Sequence, residues 1–484
     1  MTRKAFWLSI LLLSLFLLPN ALSPLRIGNF SFEWQLGDLL IAVTGIYLLL
    51  KILLLNGKMH FVSGITRLDK IVSILLVVTI FSSIIGSLRF SSSVIFIFGS
   101  LIKVIEPYIL YFFVRSNLYR GKDASYILKT LILITVIISL IGLIQMLSPN
   151  VYLNIIKFFF SKSRILQDEN FINTVGWRIS SLFLASNKFA NFILLMLPFI
   201  FIRQSFKMRL IKKVFYLVLM VLLLVLLIFT LSREGWLGFM FMFIYILYIG
   251  TKYKISPSIK RNTATIFIIV TLLIAISYTL IYNRMIKYTF GGIGFEYLYE
   301  TSSSEARFIL WEASLKAISK NWLLGTGPMG GKIVQEFVPS YFITGGDPHN
   351  TFLRTFLETG IIGFIAFLFF IKELLSFGKL HLIHSFDIYK YSIVASTIGL
   401  IFSGFLGDSF QDFEIIATLF ILVALLENVR EKRKFKMKIL PINGKSIHTE
   451  HWIDYLNNKN FKTKTLLIKE HQKLKEQEGL IIVK

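Results

Sequence analysis

The stretch DPHNTFLRTFLETGIIGFIAFLFF, residues 347–370, decides how this chain folds. Asp347 and Pro348 come first, Asn350 is placed to cap a helix, and a long apolar run follows. A run of that length is enough to cross a bilayer core. His349 stands at the threshold, and Arg354 and Glu358 are carried a few residues into the apolar part. Polar groups at such depth are costly, so they either satisfy one another or serve a function. Arg354 and Glu358 are spaced i,i+4 and can pair on one helix face, with Asn350 leading the same stripe; this favours a supporting, structural role. Gly360 and Gly363 then allow another helix to approach closely.

The same pattern recurs along the chain. Of 484 residues, 55% are hydrophobic, 16% are charged and 47 are phenylalanine, more apolar surface than a soluble fold could hide. About twelve spans are predicted, at 5–22, 36–55, 70–88, 93–114, 126–147, 181–202, 213–231, 235–250, 264–282, 351–371, 390–407 and 413–428. The expected class is an all-α polytopic membrane protein. No cysteine occurs, which excludes disulfides, thiol nucleophiles and cysteine–zinc sites. The formal charge of +25 reads as cytosolic loop lysines and arginines that fix orientation, not as a nucleic-acid surface. Thr2-Arg3-Lys4 before AFWLSILLLSLFLL lacks an A-x-A cleavage site and reads as a retained first helix.

Charge sets the sidedness. With a cytosolic N-terminus, the inner loops hold Lys51, Lys58, Arg67 and Lys70; Arg115, Arg120 and Lys122; Arg203, Lys207, Arg209, Lys212 and Lys213; and Lys252, Lys254, Lys260 and Arg261. The loop 283–350 is balanced, with Arg284, Lys287, Arg307, Lys316, Lys320 and Lys332 against Glu296, Glu300, Glu305, Glu312, Glu336 and Asp347, so it is expected outside. Residues 1–428 then form the membrane domain, with one large, partly helical extracytoplasmic loop, and 429–484 form a basic cytosolic C-terminal tail. In the outer loop, SSSEARFILWEASLKAISKN offers a capping box, Ser302 with Glu305, and a helical apolar spacing. GTGPMGG, 325–331, breaks that helix. VYLNIIKFFF, 151–160, reads as an interfacial helix. HTEH, 448–451, has metal-like spacing but reads as a solvated surface pair.

Of seven histidines only His349 falls outside, at the membrane surface, where a neutral imidazole is suited to general-base work and where a helix-cap or interface histidine with no reaction fits the local sequence equally well. Arg233, in TLSREGWLGF, sits in a tight turn between spans. Arg307 lies in the first turns of the outer helix, and Arg178, in VGWRISSLF, stands just ahead of a span. Guanidinium groups bind phosphate bidentately and keep their charge when partly dehydrated. Each arginine alone is equally well explained by snorkelling to lipid headgroups. Three of them beside one histidine suggest a phosphate ligand next to a base.

These segments resemble, in chain order, the O-antigen ligase/polymerase superfamily of membrane glycosyltransferases. RISSLFLASNKFANFILLMLP is similar to the family's Arg-led span, TLSREGWLGF to its Ser-Arg turn, and EARFILWEASLKAISKNWLLGTGPMGG to its Arg-x-x-x-Trp helix and Gly-x-Gly turn. HNTFLRTFLETGIIG is similar to its His-Asn, Glu-x-Gly-x-x-Gly block. The resemblance covers roughly residues 178–371. It implies an inverting transferase, with no metal and no cofactor, in the bacterial cytoplasmic membrane. The donor would be a glycan on undecaprenyl diphosphate and the acceptor a glycan or glycolipid, with both termini cytosolic and the active site extracytoplasmic. Carried over, Arg233 and Arg307 bind the diphosphate, Arg178 lines the donor site, and His349 activates the acceptor hydroxyl. Asn350, Arg354 and Glu358 support them. Ligase-like chain transfer is the expectation, with a polysaccharide polymerase as the alternative. A protein glycosyltransferase also stays open. From another class, a lipid-linked oligosaccharide flippase would show two similar halves and an internal charged cavity, which this sequence does not.

Overall fold

The computed structural model describes residues 2–17, 25–27, 30–32, 36–54, 65–89, 94–118, 121–160, 178–203, 209–252, 303–339, 347–379, 389–439, 441–442 and 445–446. The expected span 264–282, Ser302 of the capping box and the 448–451 histidines lie outside these residues. Helices fill the other expected spans: α1 (Arg3–Leu17), α2 (Leu36–Leu54), α3 (Arg67–Arg89), α4 (Val94–Asn117), α5 (Gly121–Leu147), α7 (Ser186–Arg203), α8 (Leu210–Phe229), α9 (Arg233–Lys252), α12 (Thr351–Ser376), α13 (Tyr389–Gly404) and α14 (Phe413–Ile439). Three further helices accompany them: α6 (Pro149–Phe160), α10 (Ser303–Asn321) and α11 (Gly330–Gln335). Among the described residues, six helices are long and apolar enough to cross a membrane, within α2, α3, α5, α7, α8 and α12. Strand is confined, among the described residues, to two antiparallel pairs, Leu25–Ile27 with Phe30–Phe32 and Pro441–Ile442 with Lys445–Ser446. The protein is a helical membrane protein.

Of the boundaries that differ from expectation, two have a visible cause. The helix predicted from 181 starts at Ser186, after a 3-10 turn at Ser181–Phe183. Gln145 holds that turn, its Oε1 accepting from the backbone N–H of both Ser180 and Ser181 at 2.9 Å. Ser181 and Leu184 adopt positive φ there. The last helix continues past 428 to Ile439, because the charged residues that end the apolar run are themselves good helix formers.

α7 is the centre of the bundle and is buried nearly throughout. α13 packs against it and against α9. Three α13 serines stitch the first contact: Ser392 Oγ donates to Pro198 O at 3.1 Å, Ser396 Oγ to Leu195 O at 2.7 Å and Ser403 Oγ to Asn191 Oδ1 at 2.6 Å. On the second contact Gly238 meets the backbone carbonyl of Gly399, leaving no space for a side chain.

The apolar run of α12 is not one straight helix. Gly360 has φ 65° and ψ −170°, a break in the ladder. The freed backbone groups bond to the turn after α10, with Ile361 N donating to Trp322 O at 2.8 Å and Thr326 N to Leu357 O at 2.9 Å. Ser82 of α3 closes the arrangement, donating to Leu324 O at 2.6 Å and to Glu358 O, and accepting from Gly327 N at 3.2 Å. Irregular backbone at such a position survives because protein groups satisfy it. Gly360 thus admits a turn of the 303–339 segment and not the helix expected from its sequence. Gly363 does face a helix, at Val78 of α3.

Partway along α14, about 22 Å from Phe413 at 1.5 Å per residue, a buried network joins α3, α4 and α14. Arg115 Nε donates to Asp69 Oδ1 at 2.7 Å, and its Nη2 to Asp69 Oδ2 at 2.6 Å. The Tyr111 hydroxyl donates to Asp69 at 2.7 Å, and Asn428 Nδ2 to the carbonyls of Val114 at 2.8 Å and Leu118 at 2.6 Å. Arg115, Tyr111 and Asp69 are essentially without solvent exposure.

Candidate active site

The N-terminal ends of α7, α9, α12 and α14 meet at one end of the bundle, with α10 laid against α12. Each delivers polar groups by a local device. α12 is capped by Asn350, whose Oδ1 accepts from Phe352 N at 3.0 Å and Leu353 N at 3.1 Å. Immediately before the cap, His349 has φ 46°, a left-handed conformation that is uncommon for a non-glycine residue and must be held by its surroundings. Trp311 of α10 does part of this, its indole N–H donating to Pro348 O at 2.8 Å. Arg307 lies one turn from Trp311 on the same helix face. The Arg-x-x-x-Trp spacing therefore sets a guanidinium beside His349.

The turn between α13 and α14 supplies a residue absent from the sequence reading. Gly407 O accepts from Thr351 N at 2.9 Å, Asn350 Nδ2 donates to Phe405 O at 3.0 Å, and Gln411 Nε2 donates to Thr355 Oγ1 at 2.8 Å. Laced to α12 in this way, the turn places Asp408 Oδ2 3.4 Å from His349 Nδ1. The His349 side chain is half exposed while Asp408 is largely covered, at 50% and 16%. The Asp408 hydrogen bond raises the His349 pKa above its usual range, against an opposing effect of burial. Burial pushes the Asp408 carboxyl up, but the His349 bond and the Arg354 charge outweigh it and hold it low.

Arg354 has more work than the expected helix pair. Its Nε lies 2.9 Å from Glu358 Oε1, as the spacing predicted, while its Nη1 lies 2.8 Å from Asp347 Oδ2 and 3.6 Å from Asp408 Oδ2. Burial, then repulsion from Asp408, raises the Asp347 pKa. Ligand atoms of Asp347, His349 and Asp408 fall within 4.8 Å of one another, a spacing a cation could use. The Arg354 guanidinium already bridges both carboxylates, so the trio fits an ion-pair network better than a metal site.

The three arginines named from sequence gather on the same side. Arg178 is tethered, its Nε donating to Thr230 O at 3.1 Å and its Nη2 to Asn187 Oδ1 at 2.9 Å. Arg233 opens α9 after a turn in which Leu231 takes φ 51°. Arg307 feels Glu234 as its strongest opposite charge, then repulsion from Arg233, attraction to Asp408 and repulsion from Arg178. His349 in turn feels Asp408, Asp347 and Arg307. Arg178, Arg233, Arg307 and His349 thus share one electrostatic neighbourhood. Beside it, Lys188 Nζ lies 3.5 Å from Asp412 Oδ1. Neither Glu234 nor Asp408 was singled out from sequence. Glu234 is hidden behind Arg233 in the same motif, and Asp408 lies in a turn with no recognisable pattern.

Cationic side chains gathered beside an imidazole that is held by a carboxylate can bind an anion and accept a proton from a neighbouring hydroxyl. Residues 218–368 match the family model described as O-antigen ligase, which supports the superfamily resemblance drawn from the motifs. The match includes Arg233, Arg307 and His349; Arg178 and Asp408 lie beyond its ends. No curated protein matches the chain.

Proposed function

We propose that this chain, whose residues 218–368 match the O-antigen ligase family model, transfers a glycan from undecaprenyl diphosphate to an acceptor hydroxyl at the outer face of the bacterial cytoplasmic membrane. In this reading about twelve helices span the bilayer, both termini are cytosolic, and the 283–350 loop covers the sugars. The observation that carries it is the convergence of Arg178, Arg233 and Arg307 with His349.

The chemistry follows from those groups. Arg233 and Arg307 bind the diphosphate, with Arg178 lining the donor site. The acceptor oxygen attacks the anomeric carbon as the bond from that carbon to the phosphate oxygen breaks, inverting the centre. His349 Nε2 takes the acceptor's proton while Asp408 holds Nδ1 and stabilises the imidazolium that forms. Negative charge grows on the departing lipid diphosphate, and prealigned guanidinium groups in a partly dry site stabilise it without reorganising. Asn350 fixes the start of α12. Arg354, with Glu358 and Asp347, fixes the position of Asp408.

Purified protein in detergent, given an undecaprenyl-diphosphate-linked oligosaccharide and a glycolipid acceptor, should release undecaprenyl diphosphate and extend the acceptor. Release in detergent excludes a flippase, which needs a sealed compartment. Chain lengthening with the donor alone would reassign the activity to a polymerase. No product under either condition would overturn the reading.

A further inference from the structure

The proposed chemistry leaves one buried carboxyl without a task. Glu234 follows Arg233 in the first turn of α9, ahead of the apolar stretch 235–250, and is 2% exposed. Its Oε2 has no hydrogen-bond partner among the described residues, although the charges of Arg307 and Arg178 act on the carboxyl. The carboxyl lies directly over Gly407, where any side chain would overlap it, so the turn bearing Asp408 is shaped to admit it. Charged groups reach it from each neighbouring element. Arg307 of α10 acts most strongly, followed by Asp412 and Asp408 of the turn before α14, then Arg178 of the segment before α7; Arg233 is its neighbour on α9.

Burial dominates these charges, and the Glu234 carboxyl is pushed up to about 8. At neutral pH it is mostly the uncharged acid, with an O–H to give. A counter-ion for Arg307 would instead be ionised and hydrogen-bonded to the guanidinium, because an unmet buried acceptor is costly. An acid beside arginines is suited to a ligand rich in acceptor oxygens.

We propose that Glu234 is a further residue of the donor site, giving its carboxyl O–H to a phosphate oxygen of the lipid diphosphate while Arg233 and Arg307 take the others. This rests on the diphosphate reading of the arginine cluster. Its consequence is that the site takes up diphosphate and one proton as a unit. Below the carboxyl's pKa the proton is already in place. Above it, the ionised carboxylate would face the phosphates, so binding must first draw a proton from solvent.

Calorimetric titration of the full-length protein in detergent with farnesyl diphosphate, at pH 7 and pH 9, tests this. At pH 9 roughly a tenth of the wild-type carboxyl is protonated, so affinity should fall about tenfold relative to Glu234→Gln, which gives an amide N–H and never ionises. At pH 7 the two proteins should bind within about twofold. Titration of the ligand itself cancels between them. Repeating the pH 9 titration in two buffers of different ionisation enthalpy should show close to one proton taken up by wild type, a count that needs no variant. Parallel loss of affinity in both proteins, or no proton uptake at pH 9, would overturn the role of Glu234 and leave the arginine site standing. Absence of binding by wild type at pH 7 would sink the diphosphate reading itself, and this inference with it.

Discussion

His349 Nδ1 and Asp408 Oδ2 lie 3.4 Å apart, joining the residue before α12 to the turn before α14. The pairing raises the His349 pKa, and in the proposed mechanism it leaves Nε2 to act as the base. A base must be neutral to act, so activity should rise as pH climbs through that elevated pKa. Replacing Asp408 with Asn keeps the shape but removes the charge. The acidic limb of the pH–rate profile should then move to lower pH, and the plateau should fall roughly 100-fold or more, as when a general base loses its orienting group. An unmoved acidic limb would separate Asp408 from the titration of His349.

Arg307 acts electrostatically on His349, but the two should fail differently. Arg307→Ala should weaken donor binding and also slow transfer by about 10²–10³, the usual loss for a group stabilising transition-state charge. His349→Ala should lose about 10²–10⁴ in turnover and leave the donor dissociation constant within about threefold of wild type. Steady-state kinetics combined with direct titration of the lipid-linked donor resolves the two patterns. Identical profiles would mean that the assigned division of labour is wrong.

Much of this architecture was readable in sequence because membrane helices announce themselves by length and apolarity. The Asn350 cap and the Arg354–Glu358 pair were legible for the same reason, since both depend on spacing within one helix. Asp408 was not, because only the folding of the α13–α14 turn onto Thr351 brings it to His349. The break at Gly360 was equally hidden: nothing in an unbroken apolar run shows that a turn from another segment will supply its missing partners.

That turn should be sensitive to a single methyl group. Gly360 has φ 65° with Leu323 backbone against it, and Gly325 has φ 73° with Glu358 and Gly360 backbone against it. Gly360→Ala and Gly325→Ala should each cost at least about 2 kcal/mol, from left-handed strain plus displaced backbone. Thermal unfolding in detergent would show this as a clear drop in midpoint. An unchanged midpoint would contradict the tight docking of 322–327 into α12.

The far-end network allows a test of stability independent of the reaction. Asp69→Ala removes both contacts of Arg115 with Asp69 and the acceptor of the Tyr111 hydroxyl, so a buried guanidinium that also bonds Asn428 loses its paired carboxylate. A loss of about 3–5 kcal/mol is expected for breaking such a pair from one side. The double change Asp69→Ala with Arg115→Met should recover part of it, since an apolar replacement of both partners leaves no stranded charge. If the double variant were less stable than the single one, the interaction would not be an isolated buried pair.

The central claim is that guanidinium groups and His349 act together on a lipid diphosphate donor. It is tested most directly by measuring undecaprenyl diphosphate release from a lipid-linked oligosaccharide, with acceptor present, by wild type, Arg307→Ala and His349→Ala purified in the same detergent. Wild type should release undecaprenyl diphosphate and transfer the glycan, and each variant whose unfolding midpoint is unchanged should lose at least about 100-fold in rate. Release at wild-type rates by folded His349→Ala, or none by wild type, would contradict the claim.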